Sequence, residues 1–168
     1  MKILITGAAG FIGFSFANYL CKKNKKINVI GIDNFNSYYS TSYKRLRIKE
    51  LTINKNFKFH KIDIIKYDDL EELFKKNNFD FVFNFAAQAG VRHSIYRPRD
   101  YIGSNINGFF NILELIKKYK VKKLFYASSS SVYGEKKFFP TKEEDSLSPI
   151  NIYSLSKNVN EKMAEIYS

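Results

Sequence analysis

Tyr153 and Lys157 stand four residues apart, one helical turn, so a phenol and an ammonium share a face. A cation beside a phenol favours the phenolate and equips it to take a proton. With 12 Tyr and 23 Lys in the chain, that pair alone carries little weight. The run Ser128-Ser129-Ser130-Ser131 adds weight, because it ends a predicted strand 22 to 25 residues earlier. Active sites of open parallel sheets lie at the carboxyl ends of the strands. A serine hydroxyl, a phenol and an ammonium converging there suit proton transfer at an alcohol coupled to hydride transfer. The plainer alternative for the serines is a polar exit from a strand.

A second group is Thr6-Gly7-Ala8-Ala9-Gly10-Phe11-Ile12-Gly13. Gly7 permits a tight turn, Gly10 lets a phosphate approach the backbone, and Gly13 lets helix and strand pack closely. The helix N-terminus that follows offers free N–H groups and partial positive charge to an anion. Three glycines alone would be weak evidence, but Asp33 ends the next strand twenty residues after Gly13. A carboxylate there binds a ribose 2′-hydroxyl and repels a 2′-phosphate, which favours NAD over NADP. Asp63, after the third strand, either accepts from an adenine amine or caps the next helix.

The elements that must hold these groups alternate. Lys2–Ile5, Ile27–Ile32, Phe57–Ile62, Asp80–Phe85 and Val121–Ala127 read as buried strands. Between them lie helical patterns: one with Ile12, Phe16 and Leu20 on a stripe, then Tyr43–Leu51 and Asp68–Lys76. A long helix runs from Pro98 to about Lys118, with Ile102, Ile106, Phe109, Leu113 and Ile116 inward. Ile152–Tyr167 closes the chain as a helix. Strands and helices alternating at this spacing predict an α/β doubly wound parallel sheet, a Rossmann fold covered on both faces.

Composition sets the outer limits. The chain of 168 residues fits one domain at about 150 residues per domain, and its 45% apolar content excludes a disordered or collagen-like polymer. One cysteine, Cys21, excludes an internal disulfide, and two distant histidines argue against a metal site. The net charge of +12 invites a nucleic-acid reading. However, the lysines are scattered in pairs such as Lys22-Lys23, Lys75-Lys76 and Lys117-Lys118 rather than clustered on one element. No nucleic-acid partner is therefore expected. No stretch reaches the roughly 18 apolar residues of a membrane span, and the expected compartment is the cytoplasm.

Together the glycine turn, Asp33-Asn34, Ala86-Ala87, the segment Ser128-Ser129-Ser130-Ser131-Val132-Tyr133-Gly134 and Tyr153 with Lys157 resemble the extended short-chain dehydrogenase/reductase family. These are NAD-dependent nucleotide-sugar epimerases and dehydratases. Within it, Asp33-Asn34-Phe35-Asn36-Ser37-Tyr38-Tyr39, Ala86-Ala87-Gln88-Ala89-Gly90-Val91-Arg92 and Arg97-Pro98-Arg99-Asp100-Tyr101-Ile102-Gly103-Ser104-Asn105 are similar to UDP-glucuronate 4-epimerases. Those enzymes make UDP-galacturonate for polysaccharides.

The resemblance implies roles. Tyr153 takes the sugar 4-hydroxyl proton while C4 gives hydride to NAD. Lys157 holds the phenolate and the nicotinamide ribose, and Ser129 hydrogen-bonds the 4-oxygen, with Ser130 the alternative one residue away. Gly7, Gly10, Phe11, Ile12, Gly13, Asp33, Asn34, Asp63, Ile64, Ala86, Ala87 and Asn105 line the cofactor. Arg92 is either a contact for the substrate's charged end or an ordinary surface arginine. Related dehydratases carry an acidic pair inside the serine segment and this chain has none, which favours epimerisation. The implied partners are a UDP-sugar and either a second copy of the chain or a chain supplying a missing half. Family members continue into a sixth strand and a small substrate domain. The expectation is thus a sheet incomplete at its carboxyl-terminal side, with residues 1–168 forming the NAD-binding domain alone and an edge left uncovered.

Overall fold

Ile3 and Ile5 of the first strand join one apolar layer and Leu4 between them joins the other, as the twofold alternation of a strand dictates. The computed structural model describes residues 1–136 and 139–168. Its strands are β1 (Lys2–Thr6), β2 (Asn28–Ile32), β3 (Phe57–His60), β4 (Phe81–Asn84) and β5 (Lys123–Tyr126). All pair in parallel, in the order β3-β2-β1-β4-β5. Helices α1 (Phe11–Lys23) and α2 (Thr41–Thr52) cover the Ile3 side through Ala17, Cys21, Ile48 and Leu51. On the Leu4 side, α3 (Tyr67–Lys76) contributes Leu70, Leu73 and Phe74. The predicted doubly wound α/β sheet is what forms. The order in which strands are added reverses between β1 and β4, and a crevice opens there at the carboxyl ends of the strands.

The buried stripe of α1 is displaced by one position from the predicted one. Gly13, Ala17 and Cys21 face inward, while Ile12 is 56% exposed. The cause is the closeness of helix and strand: a Cβ on Gly13 would lie 2.3 Å from the Gly7 carbonyl oxygen. Only small side chains fit that seam, and Phe16 sits beside it against Phe83 and Phe85.

The predicted long helix is three pieces. After α4 (Val91–Tyr96) come α5 (Pro98–Tyr101), a π-helical turn (Ile102–Asn107) and α6 (Gly108–Lys118). The wider turn shifts the inward phase. Phe109 and Leu113 are buried as expected and α6 adds Ile112 and Leu115 to the Leu4 layer, but Ile102 is exposed and Asn105 is buried instead. After β5, a 3₁₀ turn spans Ser130–Tyr133 and α7 runs Ile152–Ile166. Asn151 and Ser154 form a capping box that fixes the start of α7 and so places Tyr153 in its first turn. β5 borders the sheet, and its Phe125 is 42% exposed, stacked on Phe83 at 4.7 Å. Among the described residues, no helix is long and apolar enough to cross a membrane.

Candidate active site

The glycine turn adopts the form an anion needs. Gly7 lies at φ +66°, and a Cβ there would come within 2.8 Å of the Ala86 nitrogen and the Phe85 carbonyl carbon. The turn thus closes on the loop after β4. The Gly10 N–H donates to the Gly7 carbonyl at 2.9 Å, and Gly10 caps α1 without any side-chain hydrogen bond. The first-turn amides of Phe11, Ile12 and Gly13 are left for a ligand, and the positive end of the α1 dipole favours a negative one.

A cleft of about 740 Å³ opens on this turn, within the range of small-molecule sites. The turn's Gly7 and Gly10 through Gly13, Asp33-Asn34, Asp63-Ile64 and Ala86-Ala87 all line it. Asp33 is 7% exposed; Oδ2 accepts from the Ala9 N–H at 3.2 Å and Oδ1 from the Phe35 N–H at 2.8 Å. Asp63 does not cap α3, whose N-cap is Lys66. Its Oδ1 accepts from the Ile65 N–H at 3.0 Å and its Oδ2 from Asn34 Nδ2 at 2.9 Å, so it stiffens the loop at the cleft wall.

The second group gathers around α7. Lys157 is buried and donates to the Ala127 carbonyl at 2.9 Å, just past β5 and two residues before Ser129. Burial pushes its ammonium down to about pKa 8. The Tyr153 ring packs edge-on to Tyr101 with centroids 6.0 Å apart, and the Tyr101 hydroxyl donates to the Ala89 carbonyl at 2.7 Å. Ser129 Oγ accepts from the Ser131 N–H at 3.2 Å and lies 2.9 Å from Ser131 Oγ. Ser130 points to solvent and Ser128 bonds Glu161. Asn105, in the π turn, accepts from the Gln88 N–H at 2.7 Å and donates to the Gln88 carbonyl and to Ser156 Oγ. It therefore ties the loop after β4 to α7. Arg92 is exposed on α4 and enters no ion pair among the described residues. Tyr153, Lys157, Asn105, Ser129, Ser130 and Arg92 all lie outside the lining of the main cleft.

Sequence reasoning missed Lys44 and Arg47, which line the cleft from α2. Lys44 Nζ lies 3.6 Å from Asp33 Oδ1, with both side chains under a tenth exposed, and Arg47 donates to the Ala9 carbonyl at 3.2 Å. A signal existed: Lys44 interrupts the inward stripe that continues through Ile48 and Leu51.

The family model described as GDP-mannose 4,6 dehydratase matches residues 4–168, and the chain belongs to that epimerase/dehydratase family. It is 48% identical to Protein CapI of Staphylococcus aureus over 169 residues, covering all of this chain and 50% of that one. It is 40% identical to a UDP-glucuronate 4-epimerase of Thermodesulfobacterium geofontis, covering 98% of this chain and 50% of the relative. Among solved structures, the UDP-glucuronic acid 4-epimerase of Bacillus cereus in complex with UDP-glucuronic acid and NAD superposes with a TM-score of 0.91 at 36% identity. That match covers 99% of this chain and 52% of the other. The chain thus spans about half the length of the curated relatives it matches.

Proposed function

We propose that this chain holds NAD and carries the acid–base group of a nucleotide-sugar 4-epimerase, with UDP-glucuronate as substrate and UDP-galacturonate as product. The observation that carries this reading is the joint placement of an open glycine turn, a buried acid at the end of β2, and a Tyr/Lys helix tied to the end of β5. The residues fit a dinucleotide: without a Cβ at Gly7 and Gly13 the turn closes tightly on the loop after β4 and on α1, and the amides of α1 have no side-chain cap. In this reading those amides hold the pyrophosphate and Asp33 meets the adenosine ribose. Asn34, Asp63, Ile64, Ala86 and Ala87 complete the walls. Bound nicotinamide supplies reversible acceptance of two electrons and a proton equivalent from the sugar C4.

The chain's own residues handle the proton. Tyr153 takes the 4-hydroxyl proton as the C4–H bond breaks, and returns it after the 4-keto sugar has presented its other face. The Lys157 ammonium, held by Ala127, favours the phenolate electrostatically. The Ser129 hydroxyl, oriented through Ser131, hydrogen-bonds the 4-oxygen, while exposed Ser130 is the weaker candidate. Arg92, exposed on α4, suits a substrate carboxylate. Incubating the chain with UDP-glucuronate and NAD, and following UDP-galacturonate by NMR, tests the proposal. A second reading, a cofactor-binding half without turnover, is favoured by the share of its relatives that the chain spans. Product from the isolated chain refutes the second reading. NAD binding without product supports it.

A further inference from the structure

The cleft's polar side chains do more than line it. Through the half-buried Asn36 they join the buried Gln88 and Asn105 in one connected path from Asp33 to α7. Lys44 Nζ faces Asp33 at 3.6 Å and donates to the Asn36 carbonyl at 3.1 Å and to Asn36 Oδ1 at 3.2 Å. Asn36 Nδ2 donates to Gln88 Oε1 at 3.3 Å. The Gln88 main chain exchanges two hydrogen bonds with Asn105, whose side chain also donates to Ser156 Oγ at 3.0 Å. Asn160 Nδ2 in turn donates to the Asn105 carbonyl at 2.6 Å. Ser156 lies between Tyr153 and Lys157 on α7. Asp33, Lys44, Gln88, Asn105, Ser156 and Asn160 are each less than a tenth exposed.

Resting on the dinucleotide reading above, we propose that Lys44 and Gln88 are positioning residues, which couple occupancy of the Asp33 end of the cleft to the setting of the helix bearing Tyr153 and Lys157. The argument is energetic. A buried ammonium must keep its partners, because an uncompensated charge there is strongly destabilising. A ligand hydroxyl that engages Asp33 changes what Lys44 faces, and Lys44 holds both the carbonyl oxygen and the Oδ1 of Asn36. Among the described residues, the Asn36 side chain reaches across from the loop after β2 to Gln88. Hydrogen bonds in such a chain polarise one another, so a change at one link is felt at the next. The loop of residues 34–40 is thereby a strap between the ribose end and the catalytic end.

ADP is the discriminating probe. It carries the adenosine ribose and diphosphate but has no nicotinamide to touch α7 directly. Amide hydrogen exchange over residues 152–160 is measured with and without saturating ADP. In the unaltered chain ADP slows that exchange at least about fivefold, the low end of coupling between sites. Gln88→Met keeps the main-chain bonds to Asn105 and removes the acceptor for Asn36 together with the Nε2 donor to the Ala89 carbonyl, a donor that Gln88→Glu also lacks. It binds ADP within about twofold of the unaltered chain but loses the ADP-dependent slowing, whereas Gln88→Glu retains it. A merely structural role would raise exchange equally with and without ADP. Should Gln88→Met fail to fold, Asn36→Ala cuts the same link from the other side. Slowing that persists in the folded variant, or ADP binding that leaves α7 unchanged in the unaltered chain, overturns the coupling. Absence of ADP and NAD binding overturns the dinucleotide reading, and the coupling with it.

Discussion

The Lys157 ammonium donates to the Ala127 carbonyl at 2.9 Å, so the main-chain group it engages belongs to the segment that leaves β5. This bond sets Lys157 close to the serine run while burial strips water from its charge.

A pH dependence follows from that burial. The folded-state pKa of Lys157 is about 8, against 10.5 for the free side chain. Between those values the unfolded chain holds the proton and the folded chain has released it, so stability rises with pH across the window. Below pH 8 both states are protonated and the full burial penalty stands. Among the groups that act in the opposite sense, burial raises the Cys21 thiol above its usual 9.0 and pushes Tyr101 up to about 12. Comparison with Lys157→Met isolates the lysine. The variant's stability relative to the unaltered chain should fall by about 2 kcal/mol from pH 8 to pH 10 in urea unfolding. A difference that stays flat with pH would show that the ammonium is not desolvated.

Asp33→Asn retains the acceptor for the Ala9 or Phe35 amide but removes the charge facing Lys44. NAD binding should weaken roughly tenfold, as for loss of a hydrogen bond to a charged group, and discrimination against NADP should relax. The fold should lose about 3 kcal/mol because Lys44 is left buried without its carboxylate. Asp33→Asn combined with Lys44→Met should recover part of that loss. Unchanged NAD/NADP selectivity in calorimetric titrations would remove Asp33 from the ribose site.

Tyr153→Phe deletes one oxygen and keeps the ring that packs on Tyr101. NAD affinity should stay nearly constant while any epimerase turnover drops by about 10² to 10⁴, the usual worth of a positioned acid–base group. Lost cofactor binding would mean that the hydroxyl serves the ligand rather than the proton.

Asn105→Ala removes the partner of the buried Gln88 N–H together with the donor to Ser156. Stranding these groups should cost about 2 to 4 kcal/mol in denaturant unfolding, with the midpoint shifted and the slope unchanged. A loss below about 0.5 kcal/mol, the range of plain surface changes, would mean the π turn is not tied to α7 through this side chain.

Local chain geometry made much of the site readable. A glycine turn between an aliphatic run and a helix, an acid closing the next run, and a Tyr/Lys pair one turn apart each depend on neighbours within a few residues or on the twofold and 3.6-fold periods. The parallel sheet follows from the same alternation of runs, whereas its order β3-β2-β1-β4-β5 is set by packing. What stayed hidden depends on partners far apart in the chain. The stripe of α1 could not be phased until Gly13 met Gly7 and demanded small side chains at the seam. The π turn that turns Asn105 inward leaves no periodic mark. Lys44 looked like one more solvated lysine until folding set it against Asp33, and Gln88 gained a role only when β4 lay beside β1 and its loop met Asn36, 52 residues away. Short-range steric preferences are written into consecutive residues, whereas the partner of a buried polar group is set by which strands and helices come to lie side by side.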